Sequence, residues 1–178
     1  MRKAERQMNN PATHQMELVM EAKERRMRRQ QRLFKAYRLP LVSFTLNLPG
    51  GYAYYDTWAS VWQRGRQELE KMFPDSLHTS SRVGLWGPET FLALPRHPHA
   101  IKEMTVKLEE QHSLGRVFDI DVICQDGVPF SRSRLGKPPR QCVLCQCAAV
   151  ECYVNKTHPL EEIQEKVSSM IKKGLSHP

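Results

Sequence analysis

Nowhere does the chain string together the roughly 18 apolar residues that a membrane-crossing helix needs, so no membrane span is expected. Residues 1–10 are polar and charged, without the apolar stretch of a secretory leader, and a cytoplasmic location is the expectation. No internal repeat and no long low-complexity tract is present, which sets aside solenoid and disordered architectures. Five cysteines in a leaderless chain argue against a disulfide framework and leave metal ligation or plain thiols. What remains is the composition of a soluble globular protein, 40% hydrophobic and 26% charged over 178 residues, enough for one ordinary core.

The net charge of +8 is unevenly placed. Residues 1–38 hold 11 Lys/Arg against 4 Asp/Glu, a balance of +7; the other 140 residues hold 16 against 15, a balance of +1. Two parts follow: a basic helical arm over 1–38 and a single α+β domain over 39–178, with a cysteine-rich segment at 142–158. Residues 13–37 lack Gly and Pro and read as a helix, with a thin apolar seam of Met16, Met20, Met27, Phe34 and Tyr37. Residues 41–48 alternate, Val42, Phe44, Leu46 and Leu48 on one face and Ser43, Thr45 and Asn47 on the other. A helix with Trp58, Val61, Trp62, Leu69, Met72 and Phe73 inward follows. A hairpin over 82–94 with its turn at Gly87-Pro88, and a helix opened by Pro98, come next. Beyond a strand over 116–124, Asp126-Gly127 signals a hairpin with a return strand at 128–131. A last helix carries Leu160, Ile163, Val167, Met170 and Ile171 inward. The expected architecture is α+β: a mixed sheet of about five strands packed with helices, nucleotidyltransferase-like, plus the N-terminal basic helix.

The most informative stretch is His112-Ser113-Leu114-Gly115-Arg116-Val117-Phe118-Asp119-Ile120-Asp121-Val122. On a strand Asp119 and Asp121 point the same way, roughly 6.5 Å apart at Cα. Such close carboxylates repel unless a cation sits between them. A hard divalent ion such as Mg²⁺, shared with phosphate oxygens, answers that need; the alternative is an edge strand with two solvated aspartates. Asp126 and Glu89 are candidates for a third carboxylate. Arg116, Arg132, Arg134, Lys137 and Arg140 flank the pair in or beside loops, as a phosphate-binding set requires. His112 is a candidate general base, or else caps the preceding helix.

This stretch resembles the signature of the citrate lyase holo-acyl-carrier-protein synthases, the apo-citrate lyase phosphoribosyl-dephospho-CoA transferases. Val42-Ser43-Phe44-Thr45-Leu46-Asn47-Leu48-Pro49-Gly50, Gly87-Pro88-Glu89 and Pro138-Pro139-Arg140-Gln141-Cys142-Val143-Leu144-Cys145 agree in order and spacing. The resemblance spans about residues 17–173. The chain departs at Ser113, where the family tends to have Pro, and at Gly51 and Ala53, where it tends to have Pro and Lys. The resemblance implies that the donor is 2′-(5″-triphosphoribosyl)-3′-dephospho-CoA and the acceptor a serine of the apo acyl carrier protein subunit of citrate lyase. Pyrophosphate would leave, with Mg²⁺ at Asp119 and Asp121; the +7 balance of residues 1–38 then makes the basic arm the expected docking surface for an acidic carrier. The equivalent malonate decarboxylase carrier transferase is the sister reading.

Cys142, Cys145, Cys152 and His158 have the ligand types and spacing of a compact structural Zn²⁺ site; the alternative is reduced thiols packed as small hydrophobes. A non-enzymatic zinc-knuckle protein with its arm on nucleic acid is the rival from another class. Against it, the arm has few stacking aromatics and mixes Glu17, Glu21 and Glu24 among its cations.

Overall fold

In the computed structural model, which describes residues 11–84 and 87–176 with side chains from residue 20 onward, the expected α+β architecture is present. The N-terminal helix α1 (Pro11–Tyr37) stops where Arg38 takes a left-handed φ of 54°, two residues before Pro40. There follow β1 (Leu41–Leu46), α2 (Trp58–Met72), β2 (His78–Gly84), β3 (Gly87–Ala93), α3 (Pro98–Gln111) and β4 (Phe118–Ile123). The chain finishes with the short α4 (Ala149–Val154) and α5 (Leu160–Ser176).

Among the described residues the sheet has four strands in the order β2-β3-β1-β4, every pair antiparallel. The expectation of a mixed sheet of about five strands is corrected in count and in sense. The 128–131 return strand shrinks to an isolated bridge between Ile123 and Pro129, since proline has no N–H to extend a ladder. The β2–β3 hairpin forms with Gly84 opposite Gly87, so Gly87-Pro88 opens β3 and is not the turn; Trp86 lies outside the described residues.

One sheet face is the core. Val42, Phe44, Leu92, Phe118, Ile120 and Val122 are almost fully removed from water there. Each such side chain contributes about 1.5–3 kcal/mol by burial. Helix α2 seats directly on this face. A Cβ at Gly65 would come 2.4 Å from Phe44 Cζ and 2.9 Å from Phe118 Cε1, so only glycine permits the approach.

Helix α1 lies across the other face. The guanidinium of Arg29 sits over the Phe91 ring at 5.0 Å, and Tyr37 stacks on His78 with its hydroxyl 3.0 Å from Nδ1. Ser43 and Thr45, whose alternation marks an outer face, are therefore only 4% and 7% exposed. The methionine seam is corrected too. Met20 and Met27 face solvent, while Arg26, Arg29, Leu33, Phe34 and Tyr37 turn inward; Met16 lies outside the described side chains. An arginine-bearing stripe, not an apolar one, meets the sheet because the sheet offers it Glu89. Leu160, expected inward on the last helix, is also exposed, whereas Val167 and Ile171 are buried.

Candidate active site

Strand β4 is an edge strand. Its inward residues Phe118, Ile120 and Val122 are buried, and Asp119 and Asp121 project from the face opposite the core. Register places Thr45 opposite Asp119 and Ser43 opposite Asp121. The Thr45 hydroxyl donates to Asp119 Oδ2 at 3.1 Å and fixes that carboxylate. Asp121 keeps solvent access although protein atoms crowd it. That enclosure, and then the neighbouring Asp119 charge, push its carboxyl above the ordinary range, while Lys102, Arg140 and Arg26 draw it back. Tyr52 borders the same recess; its hydroxyl donates to the Leu46 carbonyl at 3.2 Å and it senses both Arg26 and Asp119.

From Phe118 to Ile120 the free edge of β4 is closed by side chains instead of another strand, while further along the Phe130 amide donates to the Val122 carbonyl at 2.7 Å. Lys102 Nζ donates to the Ile120 carbonyl at 2.8 Å, and the Ile120 amide donates to Glu109 Oε1 at 3.2 Å. Arg140 donates to the Phe118 carbonyl at 3.0 Å and also reaches Glu109 Oε1. Each backbone group left bare here would cost about 1–3 kcal/mol. Lys102 and Glu109 are buried, at 7% and 4% exposure. Burial raises the Glu109 carboxyl; Arg140, Lys102 and Arg132 oppose that rise. Burial likewise lowers the Lys102 ammonium. The result is a cationic wall along the strand that carries the two aspartates.

The cations expected from the sequence are sorted by this wall. Arg140 and Arg132 converge on Glu109, and Arg116, which donates to the Gln141 carbonyl, is lowered by its own burial and by both neighbours. Lys137 pairs with Glu110 at 2.9 Å, one carboxylate further out. Arg134 leaves the group and stacks over Phe130 at 4.5 Å.

His112 is not with the aspartates. It caps the C-terminus of α3, its Nδ1 accepting the Leu114 amide at 3.0 Å, and its ring packs 5.0 Å from that of Phe118, on the core side of β4. Neither suggested third carboxylate joins the pair. Glu89 shares the face but is held by Arg26 and Arg29, and Asp126 accepts the Val128 amide at 2.9 Å in its own turn. Just beyond Arg140 and Gln141 in the chain, Cys142, Cys145, Cys152 and His158 gather one ligand atom each within 4.8 Å of one another.

Of the residues expected from the sequence, Asp119, Asp121, Arg116, Arg132 and Arg140 thus gather along β4, and known families bear on that arrangement. Residues 14–174 match the family model described as apo-citrate lyase phosphoribosyl-dephospho-CoA transferase. The chain belongs to that family. A probable apo-citrate lyase phosphoribosyl-dephospho-CoA transferase of Vibrio cholerae is 34% identical over 154 residues, covering 83% of this chain and 86% of the relative. The Citrobacter koseri protein of that name is 31% identical and an Escherichia coli one 29%, each over 157 residues and 86% of both chains.

Within this family fold, sequence reading missed Lys102, Glu109, Arg26 and Arg29. A signal existed for the first two. They lie seven apart on α3, on the stripe that also carries Ile101, Thr105 and Leu108, and a charge on an inward stripe marks a paired buried group. No comparable signal marked Arg26 and Arg29 among the other basic residues of α1. None of the described helices is long and apolar enough to cross a membrane.

Proposed function

We propose that this chain transfers the phosphoribosyl-dephospho-CoA group from 2′-(5″-triphosphoribosyl)-3′-dephospho-CoA to a serine of the apo acyl carrier protein subunit of citrate lyase. Family membership puts this reading above the nucleic-acid knuckle, and the observation that carries its chemistry is the Asp119–Asp121 pair beside a cationic wall. In the reaction the serine oxygen bonds to the α-phosphorus as the bond from that phosphorus to pyrophosphate breaks. The serine proton leaves to water or to the departing pyrophosphate.

Two carboxylates on one face, one fixed by Thr45 and one open to solvent, suit a magnesium ion that takes its remaining ligands from phosphate and water. Such an ion, held by Asp119 and Asp121, would neutralise phosphate charge and help align the displacement. The chain's own part is positioning. Arg140, near enough to Asp121 to draw its carboxyl down, and Arg116 beside it hold the phosphate oxygens, while buried Lys102 adds its charge from the Ile120 carbonyl. Guanidinium groups suit that task because they bind such oxygens two at a time. His112, turned to the core, braces the strand and takes no proton from the serine.

The exposed side of α1, with Arg25, Arg28, Arg32 and Lys35, docks the acidic carrier while Arg26 and Arg29 anchor the helix to Glu89. Intact-mass measurement of apo carrier incubated with the protein, Mg²⁺ and the triphosphoribosyl donor tests the reading. A gain of one phosphoribosyl-dephospho-CoA supports it; an unchanged carrier mass with folded wild-type protein overturns it.

A further inference from the structure

Between Phe130 and Gln164 the only buried residue is Cys152. Val150, Tyr153 and Val154 in that stretch point their apolar surfaces into solvent, at 60%, 84% and 69% exposure. Leu135 and Val143 pack partly against the main core, but so few apolar contacts hold such a segment weakly, and its backbone still follows a defined turn. Cys142 donates its amide to the Cys147 carbonyl at 2.8 Å, and Gln141 bridges Ala148. Small units that lack a core are commonly held by a metal or by disulfides, and all five cysteines here are free.

The geometry points to a zinc ion held by Cys142, Cys145, Cys152 and His158. Cys145 Sγ lies 3.5 Å from Cys152 Sγ and 3.3 Å from His158 Nε2. Tetrahedral zinc, with bonds near 2.3 Å to sulfur and 2.0–2.1 Å to nitrogen, has S–S edges of about 3.8 Å and S–N edges of about 3.6 Å. Both separations lie within about 0.3 Å of those edges, and the 4.8 Å limit on the whole set asks for a modest contraction elsewhere. The Leu144 amide points at Cys142 Sγ from 3.5 Å, the kind of N–H···S contact that stabilises a thiolate. Thiols packed merely as small hydrophobes would be buried, whereas Cys142 and Cys145 sit half-exposed on a loop. Three sulfurs and one nitrogen close the coordination sphere, so the ion is structural and takes no substrate.

Its position gives it a task. Arg140 and Gln141 immediately precede the first ligand. The Arg140 carbonyl accepts the Ala149 amide at 2.8 Å, and the Gln141 carbonyl accepts Arg116. The zinc-bound turn therefore clamps the backbone from which Arg140 reaches Glu109 and the Phe118 carbonyl, and it anchors Arg116.

Metal content tests this independently of any transfer reaction. Elemental analysis of full-length protein purified without chelator should give about one zinc per chain. Replacement by Co²⁺ should give the visible bands and thiolate-to-metal charge transfer of a tetrahedral S₃N site. Cys147→Ser and Cys124→Ser should keep the metal, and Cys145→Ser should lose it. Stripping the wild type should make residues 138–158 sensitive to protease while the sheet persists by circular dichroism. Folded wild-type protein that carries no zinc and gives no cobalt spectrum overturns the inference. So does zinc retained in full by Cys145→Ser.

Discussion

Thr45 donates its hydroxyl to Asp119 across the β1–β4 ladder, at 3.1 Å and in direct register. An isosteric Thr45→Val removes the donor and leaves the buried shape. Groups that orient a metal-binding carboxylate typically matter by about 10–100-fold. Carrier modification should fall by that amount, with the loss partly recovered at high Mg²⁺. Full activity in Thr45→Val at low Mg²⁺ would show that the contact only packs the sheet.

Asp119→Asn and Asp121→Asn remove the carboxylates themselves, so each should lose more than the roughly 100-fold expected for a supporting group. Because Asp121 keeps solvent access, its variant should fold normally. A carrier mass gain that survives both substitutions would leave the reaction standing and remove these residues from it.

Glu109 is the shared anion of the β4 edge, bound by Arg140 and Arg132 and by the Ile120 amide. Glu109→Ala strands those guanidinium groups beside buried Lys102. Removing one partner from a buried charge pair costs about 3–5 kcal/mol. The urea midpoint should drop accordingly. A drop below about 1 kcal/mol, the usual worth of an exposed ion pair, would mean that water replaces the carboxylate there.

His112 gives a pH signature. Burial against Phe118 holds its imidazole below the ordinary range; Arg64 and Lys71 add to the effect and Glu68 opposes it. A group held low favours the fold when neutral. Its contribution is complete above the unfolded value, about 6.5, and is lost as pH falls through the lower folded value. The melting temperature should therefore decline between about pH 7 and 5 more steeply in the wild type than in His112→Gln. Equal slopes in the two proteins would place the titration elsewhere.

Charge reversal on the outer side of α1 tests carrier docking. Arg32→Glu with Lys35→Glu should raise KM for the carrier by roughly tenfold, about 1.4 kcal/mol, and leave KM for the donor unchanged. The difference should shrink at high salt, because these residues are exposed. An unaltered carrier KM at low salt would assign docking to another surface.

Local chemistry wrote much of this protein into its sequence. The alternation of residues 41–46 and 118–123 set two strands, the aspartates two apart set a shared face, and Pro98 set a helix start, because each depends on neighbours within a turn or a pleat. The four members of the Cys/His group were legible for the same reason, all lying within residues 142–158. Other features needed distant partners. Lys102 and Glu109 are satisfied only because α3 runs along the open edge of β4. Ser43 and Thr45 are buried only because α1 crosses the face that alternation marks as outer. The choice among arginines was likewise tertiary. A guanidinium goes to whichever carboxylate or ring the fold brings within reach, which sends Arg140 to Glu109, Arg26 to Glu89 and Arg134 to Phe130.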